Sequence, residues 1–232
     1  MRGAAWILAA VVLMLGDLPA RGADEPALFV VQYVDVAPSA QAAAAASLRQ
    51  ASALGRKADG NLRFDAYAEI GRPSRFSMVS LWRDQKAFEA HAASAGAQQL
   101  RAALDPVRVT AIDERQLSLL AGDPLGAVPG RAAAGARALY VVTHMDSLPT
   151  FKDEAAAALK QLAAASAKDA GLVRYQVLVQ TNRANHFELL EVWKDRASFD
   201  AHVTAPHTTQ FRDAVQQGAG SPYDERVYKS LE

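Results

Sequence analysis

The chain has 232 residues, 50% of them hydrophobic and 22% charged, with 25 Lys and Arg balanced by 25 Asp and Glu. A formal charge of zero leaves no electrostatic footprint for nucleic acid or for an anionic membrane surface. The absence of cysteine excludes a disulfide framework and thiol chemistry, so the folded chain rests on its core alone.

Met1 and Arg2 open the chain with a positive charge. Ala4 to Leu15 is apolar, and the small-residue stretch Ala20-Arg21-Gly22-Ala23 follows. This is the order of a secretory signal peptide, and the apolar run is short of the ~20 residues that a spanning helix needs. Residues 1–22 are therefore expected to be removed, leaving a secreted or periplasmic protein with no membrane attachment after processing. About 210 residues then remain, enough for one large or two small domains.

The rest of the chain repeats. Trp82 and Trp193 stand 111 residues apart, and the same offset pairs Val30-Val31 with Val141-Val142, Asp35 with Asp146, Gly60 with Gly171 and Arg63 with Arg174. It also pairs Phe76 with Phe187, Asp84 with Asp195, Phe88 with Phe199, His91 with His202, and Asp113-Glu114-Arg115 with Asp224-Glu225-Arg226. No gap is needed from Leu28 to Leu120. So long a period belongs to duplicated domains and not to a solenoid. The expected organisation is repeat 1 over 26–120, a linker rich in Gly, Pro and Ala over 121–137, and repeat 2 over 138–232.

Within each repeat the elements follow in order. Leu28 to Val36 and Leu139 to Asp146 read as first strands. Pro38-Ser39 and Pro149-Thr150 then start helices, with Ser39 and Thr150 as N-cap candidates and Asp153 completing a capping-box variant. Gly60 and Gly171 are expected to stop those helices at C′. Strands follow at Leu62 to Ile70 and Phe76 to Trp82, and at Val173 to Thr181 and His186 to Trp193. Gly71-Arg72-Pro73 and Asn182-Arg183-Ala184-Asn185 are the turns between them. Asp84 and Asp195 cap a second helix, which Pro206 is expected to break in repeat 2. Last strands are expected at about Val107 to Leu117 and Tyr223 to Leu231. The fold class is α+β: two ferredoxin-like β-α-β-β-α-β repeats. Phe29 and Val31 are apolar on one face of the first strand, Val30 and Val34 on the other. Such two-sided burial predicts that the two sheets join as one pseudo-dimeric α/β barrel with helices outside.

Two runs carry a resemblance. Gly60-Asn61-Leu62-Arg63-Phe64, Arg75-Phe76, Trp82-Arg83-Asp84, Phe88 and His91 form one. Gly171-Leu172-Val173-Arg174-Tyr175, His186-Phe187, Glu191-Val192-Trp193-Lys194-Asp195, Phe199, His202, Pro206 and His207 form the other. Both resemble the antibiotic biosynthesis monooxygenase family of dimeric α/β-barrel proteins, over nearly all of the mature chain. The resemblance implies cofactor-independent quinol or anthrone oxygenation, isomerisation or haem degradation, in a chain that supplies its own partner subunit. Haem-binding members carry a ligand His after the Pro-His position, where this sequence has Gln210, Phe211 and Arg212.

Repeat 2 keeps the fuller set of polar groups. Ser80 stands in repeat 1 where Glu191 stands in repeat 2, Ala95-Gly96 where Pro206-His207 stand, and Tyr33 where His144 stands. The candidate catalytic residues are therefore His202, His207 and Glu191, with Trp193, Tyr175, His144, Arg174 and Phe187 as candidate substrate contacts. A neutral imidazole moves protons near neutral pH, and His207 sits at a helix start, where the dipole disfavours an imidazolium. Glu191 shares a strand face with Trp193 and needs a buried partner, either Arg174 or a pocket His. Trp82 and Trp193 read equally as core aromatics. His186 reads as exposed at a hairpin. His202 and His207 are poorly spaced for one metal, and neither HExxH nor GxGxxG occurs, so no metal and no cofactor are expected.

The leading expectation is an exported, cofactor-independent monooxygenase acting on a quinol or related electron-rich aromatic. A small-ligand-binding protein of the same fold, or an isomerase shuttling protons between two histidines, are the alternatives. The expected partner is a small aromatic or apolar molecule, not nucleic acid. Further homodimerisation of the fused pair is left open.

Overall fold

The computed structural model describes residues 26–127 and 134–232. The expected signal peptide and the middle of the expected linker lie outside the described residues. Repeat 1 contains β1 (Leu28–Asp35), α1 (Gln41–Gly55), β2 (Asn61–Glu69), β3 (Arg75–Trp82), α2 (Gln85–Ala92), α3 (Ala95–Leu104) and β4 (Asp113–Ala127). Repeat 2 contains β5 (Leu139–Asp146), α4 (Lys152–Ser166), β6 (Leu172–Gln180), β7 (Arg183–Trp193), α5 (Arg196–Val203), α6 (Pro206–Gln216) and β8 (Asp224–Ser230).

Every strand pairing is antiparallel, and the strands close into one barrel in the order β1-β3-β2-β8-β5-β7-β6-β4. The last strand of each repeat makes the seam: β4 pairs with β1 and also with β6, while β8 pairs with β5 and also with β2. Closure leaves no unpaired sheet edge. β4 continues to Ala127, through ground read from sequence as linker, because β6 offers it a partner as far as Arg174. Gly122, at φ +99°, lets β4 hug β6; a Cβ there would lie 2.5 Å from the Tyr175 carbonyl oxygen.

The alternation along β1 sorts the core. Val30 and Val34 pack beneath the helices of repeat 1, while Phe29, Val31 and Tyr33 point into the barrel against Tyr67, Val79, Leu81, Leu117, Val142, Leu178, Leu190 and Tyr228. A third cluster lies beneath α4, α5 and α6. Each fully buried Phe or Leu stabilises by roughly 1.5–3 kcal/mol, so the cysteine-free chain is held by three apolar layers.

Several local expectations are corrected. Ser39 and Thr150 do not cap: a short 3-10 turn occupies Pro38–Ala40 and Pro149–Phe151, and neither following helix has a side-chain N-cap bond, so Asp153 closes no capping box. Gly60 and Gly171 are not C′ residues; α1 and α4 end at Gly55 and Ser166, and these glycines make the left-handed entry into β2 and β6, at φ +73° and +82°. β4 begins at Asp113 and not near Val107, because Val107 and Arg108 sit in the turn after α3, held by the Leu104 carbonyl. β7 begins earlier than expected, at Arg183, which tightens the hairpin turn. Asp84 and Asp195 do cap, accepting from the Ala87 and Ser198 amides. Pro206 starts α6 after a break. Repeat 1 breaks at the same place without proline, through a Ser94 cap on Ala97 N.

Candidate functional site

In repeat 2 the helix-facing side of β7 carries Phe187, Leu189, Glu191 and Trp193, two residues apart along the strand. Trp193 is fully buried, and its indole N–H donates to Glu191 Oε2 at 2.8 Å. His202, from α5, stacks beside it with ring centroids 4.7 Å apart, and its Nε2 lies 3.9 Å from Glu191 Oε2. Glu191 thus accepts from the indole, with the imidazole nearby but beyond hydrogen-bond distance. Burial pushes its carboxyl up to about 8, against the indole hydrogen bond, so it is largely protonated at neutral pH.

The opposite edge of His202 meets a residue that sequence reading missed. Asp169 Oδ2 lies 2.7 Å from His202 Nδ1 and 3.0 Å from His207 Nε2. A carboxylate there accepts a hydrogen bond from Nδ1–H, which leaves Nε2 as the basic nitrogen facing Glu191. Burial holds the His202 imidazolium below its ordinary range, with Asp169 acting in the opposite sense. The ensemble is an oriented neutral base beside a protonated acid, the arrangement acid–base chemistry uses. Asp169 lies in the turn after α4, far from any histidine in sequence, and its repeat-1 counterpart is Ala58. That mismatch was the one signal available.

Other predicted residues go elsewhere. Tyr175 and Phe187 are core, 4% and 1% exposed, with Tyr175 edge-on to His202 at 6.3 Å. His144 is not in this site. It faces the barrel interior, where Nδ1 lies 3.0 Å from Glu188 Oε1. Arg174 also turns inward, 3.4 Å from Asp65 across the repeat seam, where Arg63 meets the same oxygen at 3.4 Å; it is no partner of Glu191. Strand parity separates them: positions 144 and 188 alternate with those that face the helices, and a register shift at Leu172/Arg174 turns Arg174 inward. His186 is half-buried against Asp146 and not exposed.

Repeat 1 carries the space that repeat 2 fills. A cavity of about 1040 Å³ lies between its helices and sheet, lined by Phe64, Met78, Ser80, His91, Gly96, Ala97, Leu100 and Ile112 among others. The offset of 111 explains it. Where repeat 1 has Ala58, Phe64, Ser80, Ala92, Gly96, Ala97, Leu100 and Ile112, repeat 2 has Asp169, Tyr175, Glu191, Val203, His207, Thr208, Phe211 and Tyr223. Each replacement is larger, and Tyr175, Glu191, Thr208 and Phe211 are each at most 5% exposed. The indole bond survives: Trp82 Nε1 donates to Ser80 Oγ at 2.9 Å. His91 stacks on Trp82 at 4.7 Å, as His202 does on Trp193, and lies 5.6 Å from the Phe64 ring. Burial, then the Arg101 charge, keeps His91 neutral.

Eight strands in one closed barrel, formed by two ferredoxin-like repeats with a His–Trp pair under each helix layer, define a fused pseudo-dimeric α/β barrel. The antibiotic biosynthesis monooxygenase family profile matches residues 27–103 and again 138–214, and the chain belongs to that family. Solved structures agree on the fold. A provisionally assigned monooxygenase of Fusobacterium nucleatum superposes with a TM-score of 0.78 at 14% identity, covering 90% of this chain and 94% of that one. One of Lactobacillus acidophilus gives 0.71 at 13% identity, covering 90% and 95%. An anthrone oxidase-like protein gives 0.70 at 14%, covering 90% and 93%. No curated protein sequence matches significantly. Among the described residues no helix is long and apolar enough to cross a membrane.

Proposed function

We propose that the protein is an exported, cofactor-independent monooxygenase that takes a quinol or related electron-rich aromatic into the repeat 1 cavity. The observation that carries this reading is a neutral imidazole, His91, lining a large, half-open cavity beside the apolar side chains of Phe64, Met78, Leu100 and Ile112, with charged residues such as Arg83, Arg101 and Glu114 also on its wall. Such cavities recognise flat apolar molecules and orient them with a few polar groups. His91 takes the phenolic proton. The resulting phenolate gives an electron to O2, the two radicals combine as a ring peroxide, and the His91 imidazolium returns its proton to give the hydroperoxide; loss of water then leaves the second oxygen on the ring, as a hydroxyquinone. The protein supplies position and desolvation. Export is supported by the order of charges and apolar residues in 1–22.

A second reading places the chemistry in repeat 2, at His202, His207 and Glu191, with Trp193, Tyr175 and Phe187 as the aromatic wall. The pairing of His202 with Asp169 on one nitrogen and the protonated Glu191 on the other favours it. Substrate entry then requires the repeat 2 helices to move.

The test is a quinol panel assayed with and without O2, on the wild type and on His91→Ala and His202→Ala. Oxygen-dependent turnover lost in His91→Ala supports the first reading; loss in His202→Ala alone supports the second. Ligand recovered unchanged with no oxygen uptake overturns both in favour of a binding protein. Turnover indifferent to O2 overturns both in favour of an isomerase. Export is checked by locating the protein in cell fractions and reading the N-terminus of the mature chain.

A further inference from the structure

At the mouth of the barrel, away from both helix layers, β5 and β7 bring together His144, Asp146 and His186. Asp146 stands opposite His186 in the register, and His144 lies two residues back on the same face. Asp146 Oδ1 is 2.6 Å from His144 Nε2 and 2.5 Å from His186 Nδ1. That oxygen is buried, yet it takes part in no well-aligned hydrogen bond. The group borders a polar cavity of about 270 Å³.

The contacts behind His144 orient it. His144 Nδ1 lies 3.0 Å from Glu188 Oε1, and Glu188 is fully buried, held also by Arg115 at 2.5 Å and the Tyr33 hydroxyl at 2.8 Å. A carboxylate so placed accepts a hydrogen bond from Nδ1–H and turns Nε2 towards Asp146. Asp146 Oδ1, buried, needs a positive partner, and His144 Nε2 and His186 Nδ1 converge on it with the spacing of ligands around one cation. Repeat 1 answers the same need with a fixed charge: Arg75, the counterpart of His186, lies 3.5 Å from Asp35, the counterpart of Asp146. Repeat 2 has exchanged that guanidinium for an imidazole. The positive charge of Arg115 does not oppose a cation strongly, because Asp113 and Glu188 both engage it.

We infer that His144, Asp146 and His186 form a binding site for a divalent first-row transition metal, Zn²⁺ by donor type, with Glu188 orienting His144 from behind. Two imidazoles and one carboxylate are a zinc ligand set that leaves a fourth position for water. A carboxylate behind a ligating histidine is the usual supporting group. Tetrahedral coordination at about 2.0–2.1 Å spaces ligand atoms near 3.3 Å, so side-chain torsions need to open these contacts by less than ~1 Å. The ion cross-links β5 and β7 at the open end of the barrel. The primary sequence conceals the site because its histidines come from different strands.

The experiment is calorimetric titration of tag-free, chelator-stripped protein with ZnCl2. One equivalent is expected to bind with a micromolar or tighter Kd and to raise the Tm. His144→Ala and His186→Ala should abolish that binding, while Glu188→Gln weakens it about 10–100-fold. A second group, Asp169, His202 and His207, also has ligand-like spacing, so His202→Ala/His207→Ala is titrated beside them and should bind as the wild type does. Absence of binding, or binding lost in that double variant and kept in His144→Ala, overturns the assignment. Should His144→Ala fail to fold, Co²⁺ added to the double variant decides. Intense tetrahedral d–d bands support the site, and weak octahedral absorption overturns it.

Discussion

Repeat 1 and repeat 2 share a backbone and an offset but have spent the space beneath their helices differently. In repeat 1 small side chains leave about 1040 Å³ beside a single histidine. In repeat 2 larger residues fill the same place with two histidines, an aspartate and a protonated glutamate. The substitutions that look like decay in repeat 1, Ser80 for Glu191 and Gly96 for His207, are what create its cavity. Room and polar machinery have been divided between the copies, and the indole–acceptor bond with the stacked histidine is the part that both retain.

The sharpest way to break this comparison is to remove each histidine in turn. His91→Ala is expected to cost 10²–10⁴-fold in kcat/KM, on the order of an acid–base group, with His202→Ala much milder; steady-state kinetics on a quinol reverse the assignment of roles if the order inverts. Next in size, Trp82→Ala and Trp193→Ala should each cost about 3–5 kcal/mol in urea denaturation. Because the barrel closes across both seams, each variant should still unfold in one transition, and two separated transitions would show that the repeats are independent.

The pH dependence of stability separates the copies more finely. Glu191 binds a proton in the folded state up to about pH 8, whereas the unfolded carboxyl releases it near the ordinary value of 4.5. The folded state therefore holds the extra proton, and stability falls as pH rises between those values, by at most ~1.4 kcal/mol per pH unit. Glu191→Gln should flatten that limb in part, since its counterpart Ser80 does not titrate, and leave the share of Glu69 and Glu225, whose carboxyls burial also raises. His91 and His202 act in the other direction. Their depressed folded values mean the unfolded chain binds more protons, so stability declines as pH drops below the ordinary histidine value of 6.5. Thermal melts across the pH range read both limbs. Smallest, filling repeat 1 with the side chains of repeat 2, by Leu100→Phe with Ile112→Tyr, should weaken ligand binding about tenfold, or ~1.4 kcal/mol, and unchanged affinity would remove the ligand from that cavity.

The order of elements and the closed pseudo-dimer were legible in the chain because both are written in local terms. An ungapped offset marks duplication, alternation along β1 marks burial on both faces, and Asp84, Asp195 and Pro206 mark helix ends by their own chemistry. Ser39 and Thr150 do not cap because a 3-10 turn, opened by a proline in each repeat, precedes the helix. What tertiary structure alone decided is which side chains meet. His144 left the expected site and joined Glu188, since strand parity assigns neighbours to opposite faces. Asp169 entered it from a turn with no motif, and Arg174 crossed the seam to Asp65. The cavity itself has no sequence signature, because empty space is the sum of small volume differences spread over α1, β2, β3, α2 and α3, and only their assembly places those differences side by side.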